Sequence, residues 1–376
     1  MVESIVKRRN RKSEGYVMKK KQVVIYSFTQ TGKALAEVLS DKLEQDGYEC
    51  TGYTVARFAE KGKIQALSKD WKKKMGISWG ACALVFIGAA GIAVRAIAPF
   101  VKDKFTDPPV IVLDEKGAFV IPLLSGHVGG GVELSRKLAE YTKGQTVITT
   151  ATDVQKKFAV DVFAKKNDLL ITDRNEAKEI SAKILEQKRI GLFSEFPFLD
   201  QTPKEVMVCH SVEDLETCDG KIIICQHEPK EKQPDILYLL PKNVYVGMGC
   251  RKGVGQETLE QALYQVLYQQ EILPQQISAL GSIDLKKEEV GMLGLADALG
   301  VGFFTYSAEE LQRIPAVSTS SSFVRNVTGV DNVCERAARI MCPEGHLIQE
   351  KVCLQKCTVS LVCGEVKLTL NKEEHP

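Results

Sequence analysis

Five short stretches of this chain concentrate the residue types that could do chemistry. Leu124-Ser125-Gly126-His127-Val128-Gly129-Gly130-Gly131 lies between the apolar run AFVIPLL and a helical pattern over 130–142. Glycines at a helix start present backbone N–H groups to an anion, and an imidazole in such a turn suits acid–base work near neutral pH. A histidine kept for structure is the alternative. Ser125 adds a hydroxyl beside it. The stretch is neither G-x-G-x-x-G nor a P-loop, since no Gly-Lys-Ser/Thr follows. Lys102-Asp103-Lys104-Phe105-Thr106-Asp107-Pro108-Pro109 gathers charge ahead of a strand, as a solvated loop or as part of a site. Gly88-Ala89-Ala90-Gly91 leads to Arg95 in AGIAVRAIAPF, where an arginine either snorkels to the surface or binds an anion. Gly247-Met248-Gly249-Cys250-Arg251-Lys252-Gly253 puts a thiol beside two cations, a setting that lowers a thiol pKa. A carboxylate- or phosphate-binding turn with an incidental thiol is the other reading, and no histidine stands nearby in sequence to complete a dyad. Asp284-Leu285-Lys286-Lys287-Glu288-Glu289 ends a strand and begins a helix.

Strands alternating with helices must position these turns. VVIYSF (23–28), ALVFIG (83–88), VIVLD (110–114) and AFVIPLL (118–124) read as buried strands, the last two paired across Glu115-Lys116-Gly117. Residues 34–45 and 130–142 read as helices. The middle, 166–241, carries a helix at 174–188 and short strands among Pro- and charge-rich loops, and reads as a small strand-rich domain. A last unit runs from a strand at 243 through helices 255–269, 286–299, 308–313 and 330–341 to a hairpin over 356–370. The expected fold is α/β: two α/β domains with predominantly parallel sheets, 22–165 and 242–376, joined by the middle domain 166–241. Ligands in such sheets sit at the carboxyl ends of strands, and the turns above are expected there.

Bulk properties are those of an ordinary globular protein. Net charge is +2 and 26% of residues are charged, so nothing global points to nucleic acid or membrane. No apolar run approaches the roughly 18–20 residues that span a bilayer. Eleven scattered cysteines without a secretory pattern read as reduced and cytoplasmic. Cys342, His346, Cys353, Cys357 and Cys363 could be taken for a zinc cluster, but their spacing and alternation favour buried small hydrophobes. Residues 1–21 are basic with almost nothing apolar and read as a disordered tail. Met18 stands where an α/β chain would naturally begin.

The stretch GAAGIAVRAIAPFVKDKFTDPPVIVLDEKGAFVIPLLSGHVGGGVELSRKLAE, followed by VITTATD, resembles the N-terminal domain of the CbiG family. YVGMGCRKG, SIDLKKEEVGMLGLADALG and GVDNVCERAAR resemble its C-terminal domain, shared with CobE proteins. Val290 departs from the family by replacing a proline after Glu289. The resemblance implies a cobalt-precorrin-5A hydrolase of cobalamin biosynthesis. Such an enzyme opens the ring A δ-lactone of a carboxylate-rich corrinoid and releases the methylated meso carbon as acetaldehyde. That reaction needs an activated water, an oxyanion site and cations for carboxylates. Against these needs we assign His127 as base with Asp107 and Ser125 beside it, the amides of Gly129 and Gly130 as oxyanion donors, and Arg95, Lys104, Gly249, Arg251, Lys252, Lys286 and Glu289 to the substrate. No cofactor or protein metal is implied, cobalt arriving in the substrate. Other enzymes of the pathway are the partners it allows, with no nucleic acid or membrane. A non-enzymatic corrinoid carrier and a nucleotide-using α/β enzyme are the rival classes.

Overall fold

The computed structural model describes residues 21–59, 62–103, 106–126, 129–150, 157–200, 202–314, 317–354 and 356–370. The basic tail up to residue 20, Lys104, His127 and the Ala151-Thr152-Asp153 stretch lie outside the described residues.

Lys19–Val162 forms one compact unit. Its elements are β1 (Gln22–Ser27), α1 (Gln30–Gln45), β2 (Glu49–Thr54), β3 (Ile64–Ala66), α2 (Trp71–Ile77), β4 (Ala83–Ile87), α3 (Ala90–Ile97), β5 (Val110–Leu113), β6 (Phe119–Leu124), α4 (Gly131–Thr142) and β7 (Gln145–Thr146). They make a seven-stranded sheet in the order β3-β2-β1-β4-β5-β6-β7. The central strands are β-branched runs buried on both faces, as helix-covered parallel strands must be. Val23, Ile25, Val85, Ile87 and Ile111 face one core, and Tyr26, Leu84, Phe86 and Val112 the other. Neighbours pair in parallel except β5 with β6. That reversal is local: the Asp114 carboxylate accepts N–H groups of Lys116 (2.8 Å) and Phe119 (2.6 Å), and Gly117 adopts φ +68°. A connection this short can only return antiparallel.

α5 (Val160–Lys166) leads into the second unit, Phe163–Pro376. The middle segment holds β8 (Leu169–Ile171), α6 (Arg174–Leu185), β9 (Ile190–Ser194), β10 (Val206–Val208), β11 (Gly220–Ile224) and β12 (Ile236–Pro241), a five-stranded sheet in the order β10-β9-β11-β12-β8. Only β8 runs antiparallel to its neighbour, so this strand-rich segment is itself a small α/β layer with α6 against it.

The last sheet has the order β15-β14-β13-β17-β16. It comprises β13 (Val244–Cys250), α7 (Gln256–Gln269), β14 (Ile277–Ile283), α8 (Val290–Leu299), β15 (Gly302–Tyr306), α9 (Ala308–Gln312), α10 (Ser322–Thr328), α11 (Val333–Met341), β16 (His346–Leu354) and β17 (Cys357–Cys363). The expected hairpin over 356–370 is corrected: the hairpin is β16–β17, ten residues earlier at its start. β16 is an edge strand with polar residues and register shifts, so its alternation is too broken to read. The 364–370 segment instead runs along the middle sheet. There Leu368 N donates to Pro197 O (3.0 Å), and Thr369 N to Asn167 Oδ1 (2.7 Å). Asn243, 7% exposed, ties the two sheets by donating from Nδ2 to Gly364 O (2.8 Å) and Gln226 Oε1 (3.1 Å).

α11 lies directly on the strands. A Cβ on Gly247 would fall 1.8 Å from the Cys334 carbonyl oxygen, and one on Gly281 2.7 Å from Met341 Cε. The first contact is with backbone and cannot relax by a rotamer change. Gly247→Ala is therefore expected to destabilise the second unit by about 1–3 kcal/mol, read as a lowered urea midpoint. An unchanged midpoint would show that α11 does not need this approach.

Candidate functional site

The reversal at β5–β6 decides where the amino-terminal residues meet. β1, β4 and β5 run the same way, so the Gly88–Gly91 turn lies at their carboxyl edge. β6 runs back, pairing Val110 with Leu124, so Ser125 and Gly126 emerge at the opposite edge, where Asp107–Pro109 leads into β5. The expectation that all these turns share the carboxyl edge is corrected by that geometry.

At the amino edge Asp107 is 6% exposed and saturated. Its carboxylate accepts Trp79 Nε1 (2.9 Å), Lys102 N (2.9 Å) and Asp103 N (3.1 Å). Its carbonyl accepts the Ser125 hydroxyl at 2.6 Å, a buried bond that joins this loop to the glycine-rich turn. Ser125 has φ +51° and Gly130 +83°. A Cβ on Gly129 would fall 2.6 Å from Ser125 Cβ. Gly131 N and Val132 N donate back to Ser125 O (3.1 Å) and Gly126 O (2.8 Å), so the turn closes on itself before α4 begins. Asp107 and Ser125 thus form one bonded frame, and Gly129 and Gly130 line the same turn. The frame uses Asp107 as a fourfold acceptor that holds loops, a different task from taking a proton. Trp79, one of two tryptophans, belongs to this frame, and only its rarity in the sequence could have drawn attention to it.

Arg95 belongs with the carboxyl edge. It is exposed on α3, and its guanidinium lies back over Gly91, 3.2 Å from where a Cβ would stand. A side chain at position 91 would displace it.

In the second unit the carboxyl-edge rule holds. β13 and β14 are parallel, and the turns after them meet. Glu289 sits at the start of α8 and reaches both. It accepts Gly253 N at 2.6 Å and Lys286 Nζ at 2.9 Å, with side chains only 14% (Lys286) and 11% (Glu289) exposed. The Lys286 bond, with Gly253 N and the charge of Lys252, holds the Glu289 carboxyl below its ordinary range. Arg251 and Lys252 are exposed, and no ion pair engages them among the described residues. The structure therefore separates the expected cations: Arg251 and Lys252 stay available to a ligand, while Lys286 is committed to Glu289. Gly249 lies under Thr358, whose hydroxyl would be 2.8 Å from an added Cβ. The expected lowered pKa of Cys250 is also corrected. Burial pushes the thiol up, and the nearby Lys286 only partly offsets this.

One cluster went unread. Glu335, wholly buried, accepts Ser318 N (3.0 Å), Ser318 Oγ (2.6 Å) and Asn332 Nδ2 (3.3 Å). From the start of α11 it holds Ser318, the first residue of the hydroxyl-rich run that leads into α10. A glutamate three residues after an asparagine reads as a helix cap and gives no sign of the Ser318 loop it holds. Among the described residues no group of His, Cys, Asp and Glu is arranged to hold a metal ion, and no helix is long and apolar enough to cross a membrane.

Three family models match the chain in succession: Cobalamin synthesis G N-terminal over 77–153, Cobalamin biosynthesis central region over 158–241, and Cobalamin synthesis G C-terminus over 244–362. A Salmonella typhimurium protein named cobalt-precorrin-5A hydrolase is 33% identical over 350 residues, covering 92% of this chain and 98% of its own. A Priestia megaterium protein of the same name is 33% identical over 270 residues, 68% of this chain and 72% of its own. A solved cobalamin biosynthesis protein G homolog from Sulfolobus solfataricus is 22% identical, covers 92% of this chain and 97% of that one, and has a TM-score of 0.40.

Two outcomes test the geometry. Asp107→Asn turns an acceptor into a donor facing N–H groups, and should cost about 1–3 kcal/mol and red-shift the Trp79 emission. Unchanged emission and stability would mean that the carboxylate does not hold the loops. For Glu289 the folded-state pKa is depressed. Its stabilisation is thus present above the unfolded value and lost as pH falls through the folded one. The melting gap between the wild type and Glu289→Gln should be open at neutral pH and shrink as pH falls below the ordinary glutamate range. A gap that persists in acid would contradict the ion pair.

Proposed function

The chain belongs to the cobalamin synthesis G family, and from this membership we propose that it acts as a cobalt-precorrin-5A hydrolase. The observation that carries the proposal is the 33% identity to a protein of that name across 92% of the chain. The finer reaction we propose is this. Water attacks the carbonyl of the ring A δ-lactone, and the acyl–oxygen bond breaks to give a free acetate and a secondary alcohol on the meso carbon. The alcohol then loses its proton as the carbon–carbon bond to the ring breaks. The meso carbon leaves with its methyl as acetaldehyde, and the ring carbon takes a proton. One water is consumed, and nothing is oxidised or reduced overall.

The roles are assigned within this reading. His127 would take the proton from water, since a neutral imidazole is matched to that task near pH 7. The frame of Asp107 and Ser125 would hold the segment before β5 against the turn that carries Gly129 and Gly130. The amides of Gly129 and Gly130 would receive the developing oxyanion. In the second unit Arg251 and Lys252 would meet carboxylates of the substrate. Glu289 and Lys286 would shape the Arg251–Gly253 turn. Gly249 would leave room under it.

Given cobalt-precorrin-5A, the protein should release acetaldehyde in step with cobalt-precorrin-5B, followed by an alcohol-dehydrogenase couple. His127→Ala should keep its melting temperature and substrate binding but lose acetaldehyde release by about 100-fold or more. Impaired binding with normal turnover of bound substrate would make His127 a binding residue and move the base elsewhere.

A further inference from the structure

Beside the exposed cations of the second unit lies an apolar surface that the fold does not use. Leu285 is 65% exposed, Val290 81% and Leu293 45%. All three lie within nine consecutive residues, and Val290 and Leu293 are neighbours on one face of α8. Single exposed hydrophobics need no explanation, but a group of them beside a polar rim marks a binding surface.

The surface is built against the cation turn. Glu289, immediately before Val290, accepts Gly253 N at 2.6 Å. A Cβ on Gly291 would fall 2.2 Å from Val254 O, and one on Gly294 2.4 Å from Gln256 Oε1. The first turns of α8 therefore press onto the segment that follows Arg251 and Lys252, with no room for a side chain between them. The apolar group and the two cations cannot be separated without breaking these contacts. Together they match a ligand that is flat and apolar in its middle and anionic at its rim.

We infer that Leu285, Val290 and Leu293 seat the apolar face of the tetrapyrrole macrocycle whose rim carboxylates meet Arg251 and Lys252. This rests on the hydrolase reading above for the identity of the ligand. Charge complementarity selects the occupant: a second copy of the chain would need its own acids to answer the two cations, whereas a polycarboxylate corrinoid carries them.

The test uses the full chain and two probes. Binding of cobyrinic acid, a cobalt corrin with carboxylates at its rim, is followed by its absorbance, and turnover by acetaldehyde from cobalt-precorrin-5A. The triple variant Leu285→Ser, Val290→Ser, Leu293→Ser alters only exposed side chains. It should weaken cobyrinic acid binding and raise KM by about tenfold or more, with kcat within about twofold because the contact persists from ground to transition state. Val290→Ile should bind as the wild type does. Raising salt should weaken binding to the wild type and the triple variant by the same factor, and should affect Arg251→Ala/Lys252→Ala less. Unchanged binding and KM in the triple variant would overturn the seat. So would a loss of self-association on sedimentation with binding intact, which would assign the surface to a second copy. Patch-dependent binding without any acetaldehyde would overturn the hydrolase reading and leave the seat standing. No corrinoid binding by the wild type would overturn both.

Discussion

A carboxylate taken out of water costs several kcal/mol unless donors surround it, so a buried acid dictates the positions of its neighbours. Among the described residues, Asp107, Glu289 and Glu335 do this for the loops at the candidate sites. Asp107 gathers Trp79, Lys102 and Asp103, and its carbonyl anchors Ser125. Glu289 gathers Gly253 and Lys286. Glu335 gathers Ser318 and Asn332. Glu289 and Glu335 each accept a backbone N–H from a loop distant in sequence, and Asp107 joins the N–H groups of its own loop to the Trp79 indole. Removing any of them would leave donors unpaired in two segments at once, which is why these loops hold defined shapes although most of their residues are polar.

The second constraint is topological. A short turn capped by Asp114 and permitted by Gly117 sends β6 back along β5. The amino-terminal unit therefore presents its candidate residues at both edges of its sheet. Arg95 over Gly91 lies at the carboxyl edge, where open α/β sheets usually bind ligands. The Asp107–Ser125 frame lies at the other. In the second unit every connection from β13 to β15 is a parallel crossover, so the turns after β13 and β14 converge without such a division.

The strands that the sequence makes obvious are those buried on both faces. VVIY, ALVFI, VIVL and III are unbroken apolar runs, and all lie inside their sheets. β2 and β3 are half-exposed or three residues long and leave no comparable pattern. α8 reads as a helix from 286, but it starts at Val290 with Glu289 at the cap. Val290 fills the first helical position, where proline is favoured, so the family's proline and this valine are alternatives at a helix start. Residue types at the sites were legible, because glycine, arginine and histidine in strand-to-helix turns carry their chemistry openly. Their pairings were not. Nothing in the spacing of Lys286 and Glu289 distinguishes a helical i, i+3 pair from two independent ligands.

That pairing changes the electrostatics of the carboxyl-terminal turn. Counted from sequence, Arg251, Lys252 and Lys286 confront a substrate with three positive charges against one glutamate. In the fold Lys286 and Glu289 neutralise one another at 2.9 Å in a nearly buried position, where water screens them little. The charge left for a ligand is that of Arg251 and Lys252, both at the surface. Cys250 feels the same arrangement. Lys286 lies near enough to favour a thiolate, but its charge is shared with Glu289, and burial dominates. The thiol therefore stays protonated near neutral pH and acts as a small apolar contact beneath the turn. The turn thus combines two exposed cations with a nearly buried, mutually neutralised pair and a protonated thiol.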